Sequence, residues 1–196
     1  MWEENVEIQK LNNEFRDFYN DKISSKWDEN KIFKEYMQQA CGFVTIEWHN
    51  IICSVMDAID DTSTVINEYK QHWLWERHGE KLIRLYGLLN AIYCQKTAVD
   101  SLSKILWTPL QKEQLDVIDL RNIITHITDV EYWKKAYQFT HHFDDEYIWL
   151  PEHTNRWNSK KYNIKESVVK YENFINNIFK SLIRSIQNNH KTKWKI

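Results

Sequence analysis

Glycine and proline are scarce in this chain of 196 residues, which contains only three Gly and two Pro. A many-stranded sheet needs both residues at its tight turns, and long stretches of the chain run without either of them. The three glycines, Gly42, Gly79 and Gly87, are also too far apart to form a glycine-rich loop around a phosphate group. The scarcity therefore favours an all-α fold and excludes that class of phosphate-binding site.

Cysteine is as rare as glycine, with three residues, and long apolar runs are missing from the sequence. Cys41, Cys53 and Cys94 are widely spaced and include no Cys-x-x-Cys pair, so they indicate neither a disulfide framework nor a zinc site. No window approaches the roughly 18 consecutive apolar residues of a transmembrane helix. The first residues lack the basic start of a signal peptide. We therefore expect a cytoplasmic protein that does not enter a membrane and whose thiols stay reduced.

Aromatic side chains are abundant, with ten Trp, ten Tyr and eight Phe. Together with a hydrophobic share of 42%, they exclude a disordered chain and supply enough apolar surface for a core. A length of 196 residues is typical of one domain. We predict a single helical domain over residues 1–196, with a basic tail that begins at about residue 190.

Charge is distributed unevenly, although the net charge is only −2. Residues 156–196 hold ten Lys or Arg against Glu166 and Glu172, so this end carries +8 and the preceding 155 residues carry −10. Such asymmetry is typical of a protein with one end that faces nucleic acid. It is equally typical of a solvated helix face followed by a basic tail, so both interpretations stand.

Apolar side chains recur at helical spacing through most of the chain. The segments predicted to be helical are residues 6–23, about 31–58, 65–75, 80–107, 115–129 and the segment after residue 163. Asn163 and Glu166 form a capping box at the start of the last helix. The run from Asp60 to Thr64 instead predicts a turn or a helix N-terminus, because short oxygen-bearing side chains compete for backbone amides. Gly87, inside the strongest of the long predicted helices, indicates a place where another helix approaches closely.

The pattern changes after the 115–129 helix, where aromatic residues alternate with other side chains. Residues 137–141 and 147–150 are predicted to be short strands around a turn at residues 144–146, and the segment from there to Tyr162 is predicted to be a loop. The fold class that we predict is therefore all-α, a helical bundle with a small β-hairpin inserted after the 115–129 helix.

The same region contains a cluster of residue types that bind metal ions. Its members are His141, His142, Asp144, Asp145 and His153. Imidazole and carboxylate groups are suitable ligands for zinc and other divalent ions. Their spacing, however, matches none of the helical His or Glu-x-x-His patterns that are typical of metal sites. We predict that the protein needs neither a metal ion nor another cofactor.

The predicted helix over residues 115–129 has two chemically different faces. The apolar stripe consists of Val117, Leu120, Ile124 and Ile127. The polar stripe consists of Asp119, Asn122, His126 and Asp129. Arg121 lies about 100° round the helix from Asn122, so an arginine, an amide and a histidine are expected on one accessible side. Upstream, the N-terminus of this helix is predicted by a capping box of Thr108, Pro109 and Gln111.

The residues Arg121-Asn122-x-x-x-His126 resemble the signature of the HEPN superfamily, whose Arg, polar residue and His lie on a late helix of an all-α bundle. The order of predicted elements from Lys81 to Asn189 is also similar to that of the family. Many members are metal-independent ribonucleases that work as dimers, often as toxins or defence effectors. The resemblance implies catalysis by Arg121 and His126, with Asn122 in support. In some toxin pairs a partner enzyme modifies a Tyr two positions after the His, and this chain has Thr128 there.

Cleavage of RNA without a metal requires a base for the ribose 2′-OH, an acid for the leaving 5′-oxygen and a cation for the phosphate. His126 suits the proton transfers, because the pKa of an unperturbed imidazole is about 6.5. Arg121 suits the phosphate, which its fork of donors can grip, and Asn122 can orient the imidazole one turn further on. Five residues of helix place Arg121 and His126 about 140° apart. We therefore expect a homodimer to complete the site, with a cyclic phosphate as the product.

The basic C-terminal region supplies further expected contacts with RNA. The candidates for phosphate binding are Lys160, Lys161, Arg184 and Lys193. The expected function is that of an endoribonuclease acting as a toxin or antiviral defence effector. Its expected partners are the RNA substrate, a second copy of the chain, and an antitoxin or other regulatory protein.

A second interpretation is a helical module without catalytic activity, which binds a partner protein or a nucleotide. In that case Arg121 pairs with Asp119 or Asp129 of its own helix. His126 is then a satisfied residue at a helix contact. The surroundings of the Arg121 side chain distinguish the two interpretations.

Overall fold

The computed structural model describes residues 6–24, 46–72, 78–106, 108–109, 113–125, 147–151 and 159–193. In these residues the chain forms five helices and one two-stranded antiparallel sheet. The all-α fold class with a small β-hairpin, predicted from the scarcity of Gly and Pro and from helical periodicity, is confirmed. None of the described helices is long and apolar enough to cross a membrane.

The helices and strands follow one another in a simple order along the chain. They are α1 (Glu7–Ser24), α2 (Ile46–Gln71), α3 (His78–Ile105), α4 (Asp116–Thr125), β1 (Tyr147–Pro151), β2 (Ser159–Asn163) and α5 (Ile164–Lys193). The bounds of α1 and α3 agree to within two residues with the helices predicted at 6–23 and 80–107.

The chain divides into two compact units, each assembled from separate stretches of sequence. The first unit comprises Met1–Glu4, Val65–Tyr93 and Lys112–Phe174. The second unit comprises Asn5–Thr64, Cys94–Gln111 and Ile175–Ile196. The short helix α4 and the hairpin belong to the first unit, whereas α2, α3 and α5 contribute residues to both.

Within the second unit, α1 buries an apolar stripe and contacts α2 through a row of polar groups. The buried members of the stripe are Ile8, Leu11, Phe15 and Tyr19. The ring of Phe15 meets that of Phe179 edge to face, with centroids 6.1 Å apart. Beside them the Asn12 side-chain amide donates to the Met56 carbonyl at 2.9 Å and to Asp60 at 2.8 Å. A buried amide with specific acceptors favours one register of α1 on α2.

The run from Asp60 to Thr64 lies inside α2, so the turn or helix N-terminus predicted there is wrong. Its hydroxyl groups find acceptors without leaving the helix. Ser63 Oγ donates to the Ile59 carbonyl at 2.6 Å, and Thr64 Oγ1 donates to the Asp60 carbonyl at 3.1 Å. Ser63 also accepts a hydrogen bond from Gln95 Nε2 at 2.8 Å. These contacts satisfy groups that would otherwise compete for backbone amides.

The core of the first unit includes the side chain of Tyr171 from α5, which is fully buried. Its hydroxyl donates to the Ile92 carbonyl of α3 at 3.1 Å. Other buried residues of this unit include Leu85, Leu88, Leu89, Leu120, Leu150 and Val168. Lys70 of α2 forms an ion pair with Glu172 of α5, with 3.0 and 3.1 Å from Nζ to the two carboxylate oxygens. A largely buried ion pair therefore joins α2 to α5 within the first unit.

Gly87 lies in α3 where the ring of Tyr69, on α2, approaches the helix backbone. A methyl group at Gly87 would overlap the Tyr69 hydroxyl and would lie 2.8 Å from Tyr69 Cζ. The hydroxyl donates to the Ile83 carbonyl at 3.5 Å, and burial raises the pKa of this phenol. The space that Gly87 leaves open is therefore filled by a tyrosine side chain from a second helix, not by the backbone of that helix.

Replacing Gly87 with Ala should lower the free energy of unfolding by about 1–2 kcal/mol, because the new methyl group displaces the Tyr69 ring. In a Tyr69→Ala background the overlap is removed. The same substitution should then raise the free energy of unfolding by about 0.5–1 kcal/mol through helix propensity. Urea unfolding followed by circular dichroism measures both effects. Equal effects in the two backgrounds would show that Tyr69 does not occupy this space.

Two helix caps predicted from the sequence have different outcomes. Asn163 Oδ1 accepts a hydrogen bond from the Glu166 amide at 3.0 Å, which confirms the N-cap of α5. Thr108, by contrast, follows the end of α3, and its amide donates to the Ser103 carbonyl at 2.9 Å. Since α4 begins at Asp116, the capping box predicted at Thr108 is wrong. The Thr108 amide is already used by the preceding helix.

The strand predicted at residues 147–150 is confirmed as β1, but part of the predicted loop is also a strand. β2 lies in the segment that was expected to be a loop up to Tyr162, and the register pairs Tyr162 with Ile148. Tyr162, Ile148 and Leu150 are all buried, so one apolar face holds the two strands against the core. The strand predicted at residues 137–141 lies outside the described residues.

Candidate active site

The helix that carries the motif, α4, is short and strongly anchored on one side. Its first turn contains Asp116 and Asp119, whose charges are favourable beside the positive end of the helix dipole. The Leu115 carbonyl accepts hydrogen bonds from the Ile118 and Asp119 amides, both at 3.0 Å. The buried residues of the helix are Val117, Leu120, Ile123 and Ile124. Three of the four residues predicted for the apolar stripe are therefore buried, and the fourth, Ile127, lies outside the described residues.

Arg121 lies on the other side of α4 and is half-buried. Its guanidinium carbon lies 4.0 Å from the centroid of the Tyr93 ring of α3. Its Nη1 donates to Asn122 Oδ1 at 3.2 Å. The Nε atom is buried and has no hydrogen-bond acceptor in the described structure. The ring and the neighbouring amide thus restrict the position of the guanidinium.

Asp119, the nearest acidic residue of the same helix, contacts the hairpin. Its carboxylate accepts hydrogen bonds from Lys160 Nζ at 3.0 Å and from the Tyr162 hydroxyl at 2.7 Å. Among the carboxylates that the structure describes, none forms an ion pair with Arg121. The internal pairing of Arg121 with Asp119, considered from the sequence, is therefore not formed. The pairing of Arg121 with Asp129, the other alternative considered from the sequence, lies outside the described residues.

The structure brings Arg121 and Asn122 into direct contact, as their adjacency on the helix allows. His126, Thr128 and Asp129 lie outside the described residues, which on α4 end at Thr125. The hydrogen bond expected between Asn122 and the His126 imidazole thus stays a prediction.

The candidate RNA-binding residues fall in different surroundings. Lys160 is partly exposed and paired with Asp119. Lys161, next to it on β2, places its Nζ 3.6 Å from the centroid of the Tyr147 ring. Arg184 is exposed and belongs to the second unit. The side chain of Lys193 lies outside the described residues.

The described part of the chain holds no group of three or more His, Cys, Asp or Glu side chains that could bind a metal ion. The cluster considered from the sequence lies outside the described residues: His141, His142, Asp144, Asp145 and His153.

Sequence reasoning missed the aromatic residues that organise this site. Tyr93, under Arg121, belongs to another helix, and Tyr162 lies 43 residues from its partner Asp119. No spacing rule connects residues this far apart, so only the tertiary structure identifies them.

Comparison of the chain with protein-family models, with curated proteins and with solved structures finds no match. A functional proposal therefore rests on the motif and on the geometry around Arg121.

Proposed function

We propose that this chain is a cytoplasmic, metal-independent endoribonuclease in which Arg121 binds the scissile phosphate. The observation that carries the proposal is the Arg121 guanidinium, which is stacked on Tyr93, bonded to Asn122 and unpaired with any described carboxylate. A positive charge held this way loses little conformational entropy when it binds an anion. The planar fork of donors also matches two phosphate oxygens at once.

The proposed reaction is attack of a ribose 2′-oxygen on the adjacent phosphorus. The 2′-OH proton passes to a neutral imidazole, and the bond from phosphorus to the 5′-oxygen breaks as that oxygen takes a proton from an imidazolium. The products are a 2′,3′-cyclic phosphate and a free 5′-OH. His126 is the proposed proton carrier, and its position five residues after Arg121 supports this role through the likeness to HEPN ribonucleases.

A homodimer is part of the proposal, because base and acid must act on opposite sides of one phosphate. A two-fold axis supplies two His126 residues, of which one accepts and the other donates a proton. The biological role that we propose is that of a toxin or phage-defence effector, restrained by an antitoxin or other regulatory partner.

The test is to incubate the protein with end-labelled single-stranded RNA in excess EDTA and to analyse the new ends. We expect fragments with 2′,3′-cyclic phosphates, and no cleavage of the same sequence with 2′-O-methyl groups, because that RNA lacks the attacking hydroxyl. His126→Ala protein purified in parallel guards against a contaminating ribonuclease. His72→Ala is the matched control, because His72 is exposed and outside the motif. Loss of activity in EDTA, or cleavage of the methylated RNA, would contradict the proposal.

A second candidate function is a nucleotide-binding or partner-binding module that does not cleave RNA. The observation in its favour is that the Arg121 guanidinium already contacts the Tyr93 ring and donates a hydrogen bond to Asn122. Such contacts can hold the side chain for binding alone. A protein that binds single-stranded RNA through Arg121 and leaves every RNA intact would support this candidate over the ribonuclease.

A further inference from the structure

The β-hairpin presents an aromatic and cationic surface on one of its two faces. Trp149 and Lys161 are directly paired across the strands, and Tyr147 lies on the same face two residues before Trp149. Lys161 Nζ lies 3.6 Å from the centroid of the Tyr147 ring and 5.0 Å from that of Trp149. Trp149 is 42% exposed. Tyr147, Trp149 and Lys161 are called the hairpin platform below.

The opposite face of the hairpin is fixed to the first unit. Ile148 and Leu150 are buried there, and Lys160 and Tyr162 both bond to Asp119. Because side chains alternate along a strand, anchoring this face leaves the hairpin platform on the other face. Asp119 precedes Arg121 by two residues on α4. The helix that carries Arg121 therefore also holds the platform in place.

The charge of the platform is not balanced in the part of the chain that the structure describes. Lys160 meets the Asp119 carboxylate, whereas Lys161 forms no ion pair with a described carboxylate. Its ammonium group contacts aromatic faces, which stabilise the charge without neutralising it. A positive charge beside an exposed indole is complementary to a strand that carries phosphates and unstacked bases.

We propose that the hairpin platform binds unpaired nucleotides of the RNA substrate. A base stacks on the Trp149 indole, and Lys161, held by Tyr147, contacts a neighbouring phosphate. Bases inside a duplex are stacked on each other and have no free face for Trp149, so the platform selects single-stranded RNA. The identity of the ligand as RNA rests on the proposed function, whereas the binding surface rests on the hairpin alone.

The test is fluorescence anisotropy of a labelled, single-stranded 2′-O-methyl oligouridylate, which the proposed reaction cannot cleave. Replacing Trp149 with Ala should weaken binding by about 5- to 100-fold, the range expected for loss of one stacked base. Trp149→Phe keeps a ring and should stay within about threefold of the wild-type protein. Tyr86→Ala, which removes another exposed aromatic ring from the first unit, is the matched control and should change binding less than twofold.

Salt dependence separates the role of Lys161 from that of Trp149. Lys161→Met should reduce the slope of log K against log salt concentration by about 0.7, the value for one phosphate contact with a single strand. Trp149→Ala should leave this slope unchanged. The exposed Lys104, in the second unit, is the control, and Lys104→Met should leave both affinity and slope unchanged.

The outcomes distinguish this proposal from the ribonuclease proposal, because binding is measured without cleavage. If Trp149→Ala weakens binding but the protein cuts no RNA, the platform stands and the ribonuclease does not. If RNA is cut and Trp149→Ala binds as the wild-type protein does, the platform is wrong. Binding of duplex RNA as tightly as the single strand would also overturn it. Thermal melting confirms that each variant is folded, and Trp149→Leu, which keeps apolar packing, replaces Trp149→Ala if that variant does not fold.

Discussion

Replacement of Arg121 with Ala is expected to lower kcat/KM for RNA cleavage by about 10²–10³-fold, the usual effect of losing one group that stabilises charge in a transition state. His126→Ala should lower it by about 10²–10⁴-fold, because proton transfer is lost. Since both groups act mainly as negative charge builds on the phosphate, most of the loss should appear in kcat. Single-turnover cleavage of a labelled oligonucleotide measures these values.

The surroundings of Arg121 allow a finer test of its role. Arg121→Lys keeps the charge but loses the planar fork and the stacking on Tyr93, so it should recover only part of the activity. Tyr93→Phe keeps the ring and should be close to the wild-type protein. Tyr93→Leu removes the aromatic face and should lower kcat by about tenfold, in line with the cost of a misplaced catalytic group.

The matched control for these variants is Arg16, in the second unit. Its guanidinium forms ion pairs with Asp57 at 3.2 Å and Asp60 at 2.8 Å. Arg16→Ala should lower the free energy of unfolding by about 1 kcal/mol or less, because the pair is partly exposed, and should leave kcat/KM unchanged. An equal loss of cleavage in Arg16→Ala and Arg121→Ala would assign Arg121 a structural role.

Local signals in the sequence predicted much of the described fold. Apolar side chains at helical spacing predict the last helix, and those of Tyr171, Phe174, Ile175, Ile178 and Leu182 are buried, whereas the side chain of Ile186 lies outside the described residues. Asn163 caps the same helix as its spacing from Glu166 predicted. Both signals depend on residues three or four positions apart, whose contacts any helix creates. Both signals can therefore be recognised in the sequence without knowledge of the tertiary structure.

Prediction failed where distant contacts override local preference. Ser63 stays in α2 with the help of Gln95 from α3, although its neighbours favour a turn. The sequence of β2 contains two lysines and predicts a loop. The strand is held instead by hydrogen bonds from Lys160 and Tyr162 to the Asp119 carboxylate of α4. Propensity is a weak prior, and such partners decide the outcome.

In the candidate site, too, the local contacts were predictable from the sequence and the distant contacts were not. The contact between Arg121 and Asn122 involves neighbouring residues of one helix, and the sequence placed them together. The stacking of Arg121 on Tyr93 depends on how α4 packs against α3, which no local pattern encodes. The role of His126 stays a prediction from spacing, and the cleavage experiments decide it.

Removal of one partner from the ion pair between Lys70 and Glu172 should destabilise the protein strongly. Lys70 is 4% and Glu172 11% exposed, and both carboxylate oxygens lie within 3.1 Å of Nζ. Replacing Lys70 with Met should lower the free energy of unfolding by about 3–5 kcal/mol, because it removes the ammonium group at 3.0 and 3.1 Å from a largely buried carboxylate. Urea unfolding followed by circular dichroism measures this loss.

The double variant Lys70→Met, Glu172→Leu separates the cost of a lone charge from the value of the pair. Two apolar side chains of similar volume should restore stability to within about 1 kcal/mol of the wild-type protein. In the wild-type protein, the free energy needed to remove the two charges from water offsets most of their mutual attraction. The surface pair of Lys96 and Asp100, about one quarter exposed, is the control, and Lys96→Met should cost less than about 1 kcal/mol. A double variant no more stable than Lys70→Met would mean that α2 and α5 need the charges themselves. A loss below about 1 kcal/mol in Lys70→Met would mean that other groups or water stabilise the Glu172 carboxylate.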